Sequence, residues 1–552
     1  MKRLLLASAL IAAACSVEAP ESQPAPTAAP APAAPADPLA GLGDHRHPIA
    51  TKNPEAQKYF DRGFALVFAF NHEEAARAFE RAAELDPAAA MPHWGIAWAL
   101  GPNYNLDIDD PRATQAFDAI QKARDLAKAG PDSEREYIEA MAVRYTNDPK
   151  ADRAALARKY SQAMGALSKR HPDDLDAATL YAESLMNLRP WKLWSLDGTP
   201  APGTEEIIAV LESVLRRNPN HIGANHYYIH TVEASQSPER ALASAKRLEA
   251  LVPAAGHLVH MPAHVYARTG DHAGAARANQ AGAEADRVYL KTAPPDSLYG
   301  MMYYSHNLHF LADSHMMQGR LADARQAAGE LADRLTPHAT MMPMVESMVV
   351  MPTSVLLRFA QDDEILKLPE PPADRPVMHA WWRFARGVAY ARKGQVEDAT
   401  KERAALDTDV ARVPETALFG GTGLEPASNV LALARLVLDA RLAWARGARA
   451  ESLGLWMKAV DAGDRLAYDE PPVWFYPLRE SLGVVLLETG RAADAERVFR
   501  EDLVRHPRNA RSLFGLHESL VKQNRAIDAA WIKAAFDDAW KHADQALTLA
   551  DF

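Results

Sequence analysis

Histidines at helical spacing in three neighbouring stretches are the part of this sequence best suited to chemistry. Ten of the twenty histidines fall between His221 and His315. Within each stretch the key residues recur three or four positions apart, so on an α-helix each set lies along one face. The three sets are His226, His230 and Glu233; His257, His260 and His264; and His306, His309 and Asp313. Because unrelated core histidines would not repeat this spacing three times, the pattern predicts a metal site or a specific binding groove.

The ligand types indicate which ions to expect. Zinc takes three or four histidine or carboxylate ligands in proteins, and a fourth position left open permits catalysis. Nitrogen and carboxylate donors without a thiolate also suit copper or iron. We therefore expect a divalent transition metal, with zinc first and copper or iron as alternatives, bound by a subset of these nine residues. Mutual hydrogen bonding in a polar peptide groove is the competing interpretation.

Two stretches far apart in the chain carry the spacing of a repeated helix pair. The first comprises Tyr59, Gly63, Leu66, Ala75, Phe79, Ala82 and Pro87, and the second Gly483, Ala495, Phe499 and Pro507. Both resemble the tetratricopeptide repeat, in which small residues let two helices approach and a phenylalanine fills the gap between them. Because the two units lie more than 400 residues apart, the sequence predicts an all-α, right-handed solenoid of about eleven or twelve helix pairs.

Two interruptions divide the predicted solenoid. The Pro-rich, charged segment 362–376 separates a first solenoid, 53–361, which bears the histidines, from a C-terminal lobe, 376–552. The segment 189–203 contains three prolines, two glycines and two tryptophans. It is too apolar for a simple surface loop, so we expect either a lid over the histidine groove or a plug between repeats.

The resemblance to the tetratricopeptide family implies where the histidines point. In that family the first helix of each repeat lines a concave surface, and the turn glycine sets the register. Gly270 and Gly319 then place the second and third histidine sets on the groove face. The resemblance also implies a peptide or protein partner in the groove, because the family binds peptides and assembles complexes.

The N-terminal residues predict export. Lys2 and Arg3 precede a short apolar run that is too brief to span a bilayer, which is typical of a signal peptide at 1–15. The small residues before Cys15, the only cysteine, resemble a bacterial lipobox, in which that cysteine is lipidated. Residues 16–41 are rich in proline and alanine and predict a disordered tether. We expect an exported, periplasmic protein anchored to the membrane through its lipid alone.

Charge and motif content narrow the function. The net charge is −11 and no extended basic run is present, so nucleic acid is not an expected partner. The leading hypothesis is a cell-envelope repeat scaffold that binds a protein partner and carries a metal-binding concave groove. The alternative is a metal-dependent enzyme, a hydrolase or oxidoreductase, with its active site in the same groove.

Overall fold

Helix follows helix along nearly the whole of the described chain, and each helix packs mainly against its neighbours in sequence. The computed structural model describes residues 39–294, 297–340 and 342–552. The predicted signal peptide with Cys15, and all of the predicted tether except residues 39–41, lie outside the described residues. The described residues form an all-α solenoid of the tetratricopeptide type, which confirms the predicted fold class.

The helices of the first half are joined by connections of unequal length, the longest of which runs from Met186 to Thr204. They are α1 (Pro54–Phe68), α2 (His72–Leu85), α3 (Met91–Leu100), α4 (Asp110–Ala127), α5 (Asp132–Ala142), α6 (Arg153–Arg170), α7 (Leu175–Met186), α8 (Thr204–Arg217), α9 (Ile222–Val232), α10 (Leu242–Leu251), α11 (Gly256–His260), α12 (Pro262–Thr269) and α13 (His272–Leu290).

The second half is also built almost entirely of helices. Its helices are α14 (Ser305–Met317), α15 (Leu321–Leu335), α16 (Glu346–Val349), α17 (Met351–Arg358), α18 (Asp362–Ile365), α19 (Pro376–Arg392), α20 (Val396–Val410), α21 (Ala427–Ala445), α22 (Arg449–Gly463), α23 (Arg479–Glu488), α24 (Ala492–Arg505), α25 (Ala510–Lys522) and α26 (Ala526–Ala539). A π-helical turn, Gly300–Tyr304, leads into α14, and short 3₁₀ turns occupy Pro238–Ala241, Thr336–His338, Pro343–Val345 and Leu549–Asp551.

One feature of the secondary structure was not predicted. Two short strands, β1 (Leu418–Phe419) and β2 (Glu425–Pro426), pair antiparallel ahead of α21. Two-residue strands leave no alternation of apolar and polar residues for the sequence to reveal. Within the described residues, none of the helices combines the length and apolar character needed to cross a bilayer.

The start of the described chain forms a strap across the first repeats. We call residues 39–53 the strap. Its first residues, which the sequence assigned to the tether, pack on the fold, since the backbone N–H of Ala254 donates to the carbonyl of Gly41 at 2.9 Å. At its end the Asn53 side chain caps α1, so the first repeat begins where the sequence predicts it.

The hydrophobic core lies in two main clusters. One draws on residues 42–310 and the other on residues 276–552, and they meet at α13 and α14. The division predicted at 362–376 falls within the second cluster, and the described residues belong to one compact unit.

A phenylalanine held between two glycines packs each of the two recognisable repeats. A Cβ added to Gly63 would lie 2.6 Å from the Phe79 ring, and one added to Gly95 of the next repeat would lie 2.5 Å from it. Phe499 occupies the same position between Gly483 and Gly515. The ring therefore fills a space that exists only because both helices lack a side chain at the crossing.

We expect Gly63→Ala to lower the free energy of unfolding by about 1–3 kcal/mol, because the new methyl group overpacks the Phe79 ring. Gly329→Ala is the matched control, since that helical glycine has nothing within 4 Å of an added Cβ and should gain up to about 1 kcal/mol from helix propensity. Chemical denaturation followed by circular dichroism measures both. Equal effects of the two substitutions would contradict this packing.

Candidate metal centre

Six of the seven predicted histidines meet in one buried cluster. His226 and His230 come from α9, His257 and His260 from α11, and the remaining two, His264 and His306, from α12 and α14. All but His306 are at most 3% exposed. The ring nitrogens form two sets whose members lie within 4.8 Å of one another. The first triad is His226, His230 and His257, and the second triad is His260, His264 and His306.

The second triad directs three Nε2 atoms at one point. His260 Nε2 lies 2.9 Å from His264 Nε2, and His306 Nε2 lies 3.4 Å from the same atom. Two ligands bound at about 2.0–2.1 Å to a tetrahedral ion lie about 3.3 Å apart. The spacing therefore fits three nitrogens around one ion with small adjustments.

The opposite ring nitrogens fix the protonation of this triad. His260 Nδ1 is 2.6 Å from the Asn279 side-chain oxygen, and His264 Nδ1 is 2.6 Å from a Glu233 oxygen. Because these oxygens can only accept, both Nδ1 atoms carry the proton and both neutral rings present lone pairs at Nε2. Two lone pairs 2.9 Å apart repel, so a cation must lie between them, either an extra proton or a metal ion.

The first triad is built in the same way. His226 Nδ1–H donates to the Phe68 carbonyl at 2.6 Å, and His230 Nδ1–H donates to Glu233 at 2.9 Å. His226 Nε2 lies 3.1 Å from His257 Nε2. The buried His230 Nε2 has no hydrogen-bond partner.

Glu233 joins the two triads. Its side chain is 1% exposed, and its two oxygens contact His230 Nδ1 at 2.9 Å and His264 Nδ1 at 2.6 Å. The second contact departs from the geometry of a linear hydrogen bond. Because Glu233 contacts the Nδ1 atoms and the triads share the Nε2 atoms on the opposite side of each ring, Glu233 orients the two imidazoles rather than completing an ion's shell.

Burial and mutual repulsion keep the histidines of the cluster neutral, with the exception of His264. Burial, reinforced by the neighbouring imidazoles, holds the pKa of His226, His257, His260 and His306 well below the usual value. Burial also acts on His264, but the Glu233 carboxylate outweighs it and raises the His264 pKa. Burial alone would raise the pKa of Glu233, yet His264 and His230 hold it below its usual range. Since metal ligands must be neutral imidazoles, the cluster is prepared for an ion that replaces one proton.

Aromatic rings enclose the cluster. Phe70 stacks 5.3 Å from His257 between ring centroids and meets His226 edge-on at 4.5 Å. Tyr104 lies 5.4 Å from His230, and the Trp191 ring meets His230 edge-on at 5.5 Å. The histidine face is consequently buried beneath aromatic rings and does not line an open groove.

The segment 189–203 supplies part of that wall. Trp191 contacts both Tyr104 and His230, and the Trp194 indole N–H donates to the Thr231 carbonyl of α9 at 2.7 Å. Leu193 is 3% exposed. The segment therefore covers the cluster, the position expected of a lid, while also filling the space beside α9.

A segment from the second half of the chain closes the other side. The Tyr468 hydroxyl donates to Glu470, and the Arg268 guanidinium lies 5.7 Å from the Tyr468 ring centroid. Arg268 also donates to the Glu233 carbonyl at 3.0 Å. Burial raises the pKa of Glu470 to about 7, although the nearby His264 acts to lower it.

Two predicted ligands do not join either triad. His309 and Asp313 lie about one and two turns beyond His306 on α14, and a residue seven positions on is about 10 Å along a helix. Burial lowers the pKa of His309 to about 4 and raises that of Asp313 to about 7, the latter offset by Arg358 and His506. Asp313 therefore faces the C-terminal repeats rather than the histidine cluster.

A separate group of possible ligands surrounds Asp176, beside a polar cavity of about 580 Å³. His45 Nε2 and His221 Nε2 lie 3.0 and 3.1 Å from one Asp176 oxygen, and His47 Nδ1 lies 2.7 Å from the other. Here His221 Nδ1 accepts the backbone N–H of Ala224 at the start of α9. Its proton is therefore on Nε2, which donates to Asp176. This group is consequently a hydrogen-bonded network that holds the strap against α7 and α9.

Sequence reasoning missed the residues that come from outside the histidine stretch. They are His45, His47, Asp176, Asn279, Phe70, Tyr104 and the Tyr468–Glu470 segment. The residues that share the network with His221, namely His45, His47 and Asp176, lie on the strap and α7, and no local spacing connects them to His221. The one available signal was the unusual apolar content of 189–203, which pointed to Trp191.

Comparisons with known proteins found likenesses among solved structures but no matching family model. Neither the protein-family models nor the curated protein sequences gave a match. A human IFIT1 dimer with m7Gppp-AAAA is 12% identical over 92% of this chain and 93% of that chain, with a TM-score of 0.34. Yeast Tom70 is 11% identical over 88% of this chain and 99% of that chain, with a TM-score of 0.30. Likenesses at these TM-scores carry no argument about function.

The Asp176 network yields a pH-dependent prediction. Burial would raise the pKa of Asp176, but His45, His221 and His47 hold it well below 3.8. Its contribution to stability is therefore present above pH 3.8 and lost as pH falls through the folded value. Burial would lower the pKa of His47, but Asp176 raises it above 6.5. That contribution is present below pH 6.5 and lost as pH rises through the folded value.

We expect Asp176→Asn to lower the free energy of unfolding by about 3 kcal/mol, because it removes the charged partner of buried imidazoles. The difference from wild type should be largest between pH 3.8 and 6.5 and shrink on either side. Denaturation curves from pH 2 to 9 measure it. Asp125→Asn, at a fully exposed ion pair with Lys128, is the control and should show no such profile. A difference independent of pH would contradict the charged network.

Proposed function

We propose that this protein is a metal-dependent enzyme on a helical-repeat scaffold, with a transition-metal ion bound by His260, His264 and His306. One observation carries the proposal. His260 and His264 direct their Nε2 atoms at each other across 2.9 Å, while Asn279 and Glu233 lie against their Nδ1 atoms. Hydrogen bonds from Nδ1 to amide and carboxylate oxygens are the usual support of metal-binding histidines.

The enclosure of the site favours catalysis over peptide binding at this face. Three protein ligands leave a position open for water or substrate, whereas structural zinc sites are usually closed by four. The imidazoles are too deeply buried for a peptide lying in a groove to reach them. A small substrate that enters beneath Trp191 agrees better with this burial.

The donor set limits the chemistry. Three neutral imidazoles suit zinc, copper or iron. Zinc would supply a bound water of lowered pKa for hydrolysis, and copper or iron would supply oxidation or reduction. The chain itself contributes the orientation of the imidazoles, through Glu233 and Asn279, and the exclusion of water by the aromatic wall.

Metal content tests the proposal directly. We expect protein purified without a histidine tag to contain zinc, copper or iron, and His264→Ala to lose metal, because the substitution removes the central nitrogen of the second triad. His221→Ala is the matched control, since it also removes a buried imidazole but one whose Nδ1 is occupied by the helix cap. Elemental analysis of the three proteins measures this.

Less than about a tenth of an equivalent of metal in the wild type, with no thermal stabilisation on adding zinc or copper(II), would contradict the proposal, because a bound ligand must stabilise the folded state. Loss of metal from His221→Ala alone would contradict the assignment of ligands.

The helical scaffold also supports a second candidate function, the binding of a protein partner. Ile527 and Trp531 lie one turn apart on α26 and are 78% and 76% exposed, and exposed apolar groups of this kind favour an interface. X-ray absorption of the metal-loaded protein separates the two candidates. Three imidazoles with an exchangeable oxygen ligand favour the enzyme, whereas four protein ligands favour a structural ion in a scaffold.

We also propose that the protein is exported and anchored through lipidated Cys15, on the strength of the basic residues, apolar run and small residues that precede it. Cys15→Ser should move the protein from the membrane fraction to the soluble fraction, because the acyl chains would be its membrane anchor. Immunoblots of the fractions measure this. A wild-type protein already found in the soluble fraction would contradict the anchor.

A further inference from the structure

The first triad has the same donors as the second, and the proposed ion leaves it unused. His226 and His230 each place a proton on Nδ1, held by the Phe68 carbonyl and by Glu233. Their Nε2 atoms consequently present lone pairs. His257 Nε2 lies 3.1 Å from His226 Nε2, close to the spacing of about 3.3 Å for two nitrogens on a tetrahedral ion.

The buried His230 Nε2 marks this position as a binding site. It has no hydrogen-bond partner although its side chain is 1% exposed. A buried acceptor without a partner is costly, because it has lost its hydrogen bond to water. An ion between the three Nε2 atoms of this triad would satisfy it.

The two triads lie side by side. The ring centroids of His230 and His264 are 5.5 Å apart, and those of His257 and His260 are 5.7 Å apart. Each pair has one member in each triad. Glu233 contacts the Nδ1 atoms of His230 and His264 together, so ions in the two triads would be close neighbours supported by one carboxylate.

The charge of such a pair calls for an anion. Two divalent ions would bring four positive charges into a buried space. The six imidazoles that bind them would be neutral, and Glu233 would offset only one of the four charges. Uncompensated buried charge is strongly unfavourable. Three nitrogens per ion also leave coordination positions open. A small oxygen anion such as hydroxide meets both needs.

We infer that the two triads bind a pair of transition-metal ions that take a small inorganic anion between them. This inference rests on the proposed function, because it adds a second ion to the one in the second triad. Paired ions at about 3.5–4 Å are a recurrent arrangement in metalloenzymes, where both act on the same bound oxygen.

Copper(II) loading of the full chain tests the pair. We expect the wild type to bind two equivalents, and its electron paramagnetic resonance signal to account for much less than the bound copper, because two ions bridged by an anion couple their spins. His257→Ala in the first triad and His306→Ala in the second should each retain one equivalent, now with a full signal. His221→Ala should match the wild type, and circular dichroism should confirm the helix content of every variant.

The outcomes separate this inference from the proposed function. No bound copper in the wild type would contradict both. One equivalent that His257→Ala retains and His306→Ala loses would overturn the pair and leave the single ion in place. Loss of all copper from folded His257→Ala and His306→Ala alike would also overturn the pair, in favour of one joint site. The wild-type stoichiometry and signal decide the question even where a variant fails to fold.

Azide tests the anion. We expect azide to bind the copper-loaded wild type and to produce a new charge-transfer absorption, because it is an exogenous anion that replaces the bridging oxygen. His257→Ala should show weaker binding, since a single ion offers no second contact. A wild-type spectrum unchanged by azide, or identical azide binding by the two proteins, would overturn the bridging position.

Discussion

The histidine cluster depends on the contacts that the Glu233 carboxylate makes with His230 and His264. This carboxylate is buried between His230 and His264, contacts Nδ1 of each, and so sets the proton positions in both triads at once. An isolated carboxylate at such a depth would be strongly disfavoured. It is stable here because the raised pKa of His264 places a positive charge beside it. A metal ion at His264 Nε2 would take over that role from the extra proton while Nδ1–H keeps its contact with Glu233.

The repeat architecture explains how so many imidazoles can meet. Neighbouring helices in a bundle pack about 8–10 Å apart, and the first helices of successive repeats present the same face. Residues of α9, α11, α12 and α14 are thereby brought within reach of common points. The cluster differs from the surface of a simple solenoid because other segments of the chain cover it. Trp191, Tyr104 and the Tyr468–Glu470 segment close over a surface that repeat geometry alone would leave open.

The sequence predicted what depends on local spacing. The three histidine faces, the start of the first repeat near Asn53 and the phenylalanine between small residues at Gly63 all follow from relations within a few residues or one repeat. What the sequence did not predict depends on contacts between segments that lie far apart in the chain. His309 and Asp313 share a helix face with His306. The spacing of residues in the sequence does not show which part of α14 lies beside the histidines of the neighbouring helices. The partners of His221 come from the strap and α7, and Glu470 lies in the other half of the chain. The two-residue strands β1 and β2 are too short for any periodicity.

A comparison of the second triad with the group around Asp176 shows why residue types alone cannot identify a metal site. Both contain three histidines and a carboxylate at similar distances. In the group around Asp176, His221 gives its Nδ1 lone pair to the N-terminus of α9, which forces the proton onto Nε2 and turns that atom into a donor. In the second triad, oxygen acceptors hold the Nδ1 protons of His260 and His264, which leaves both Nε2 atoms as donors of electron pairs to a cation. The hydrogen bond on the far side of each ring therefore decides whether the near side meets a carboxylate or an ion.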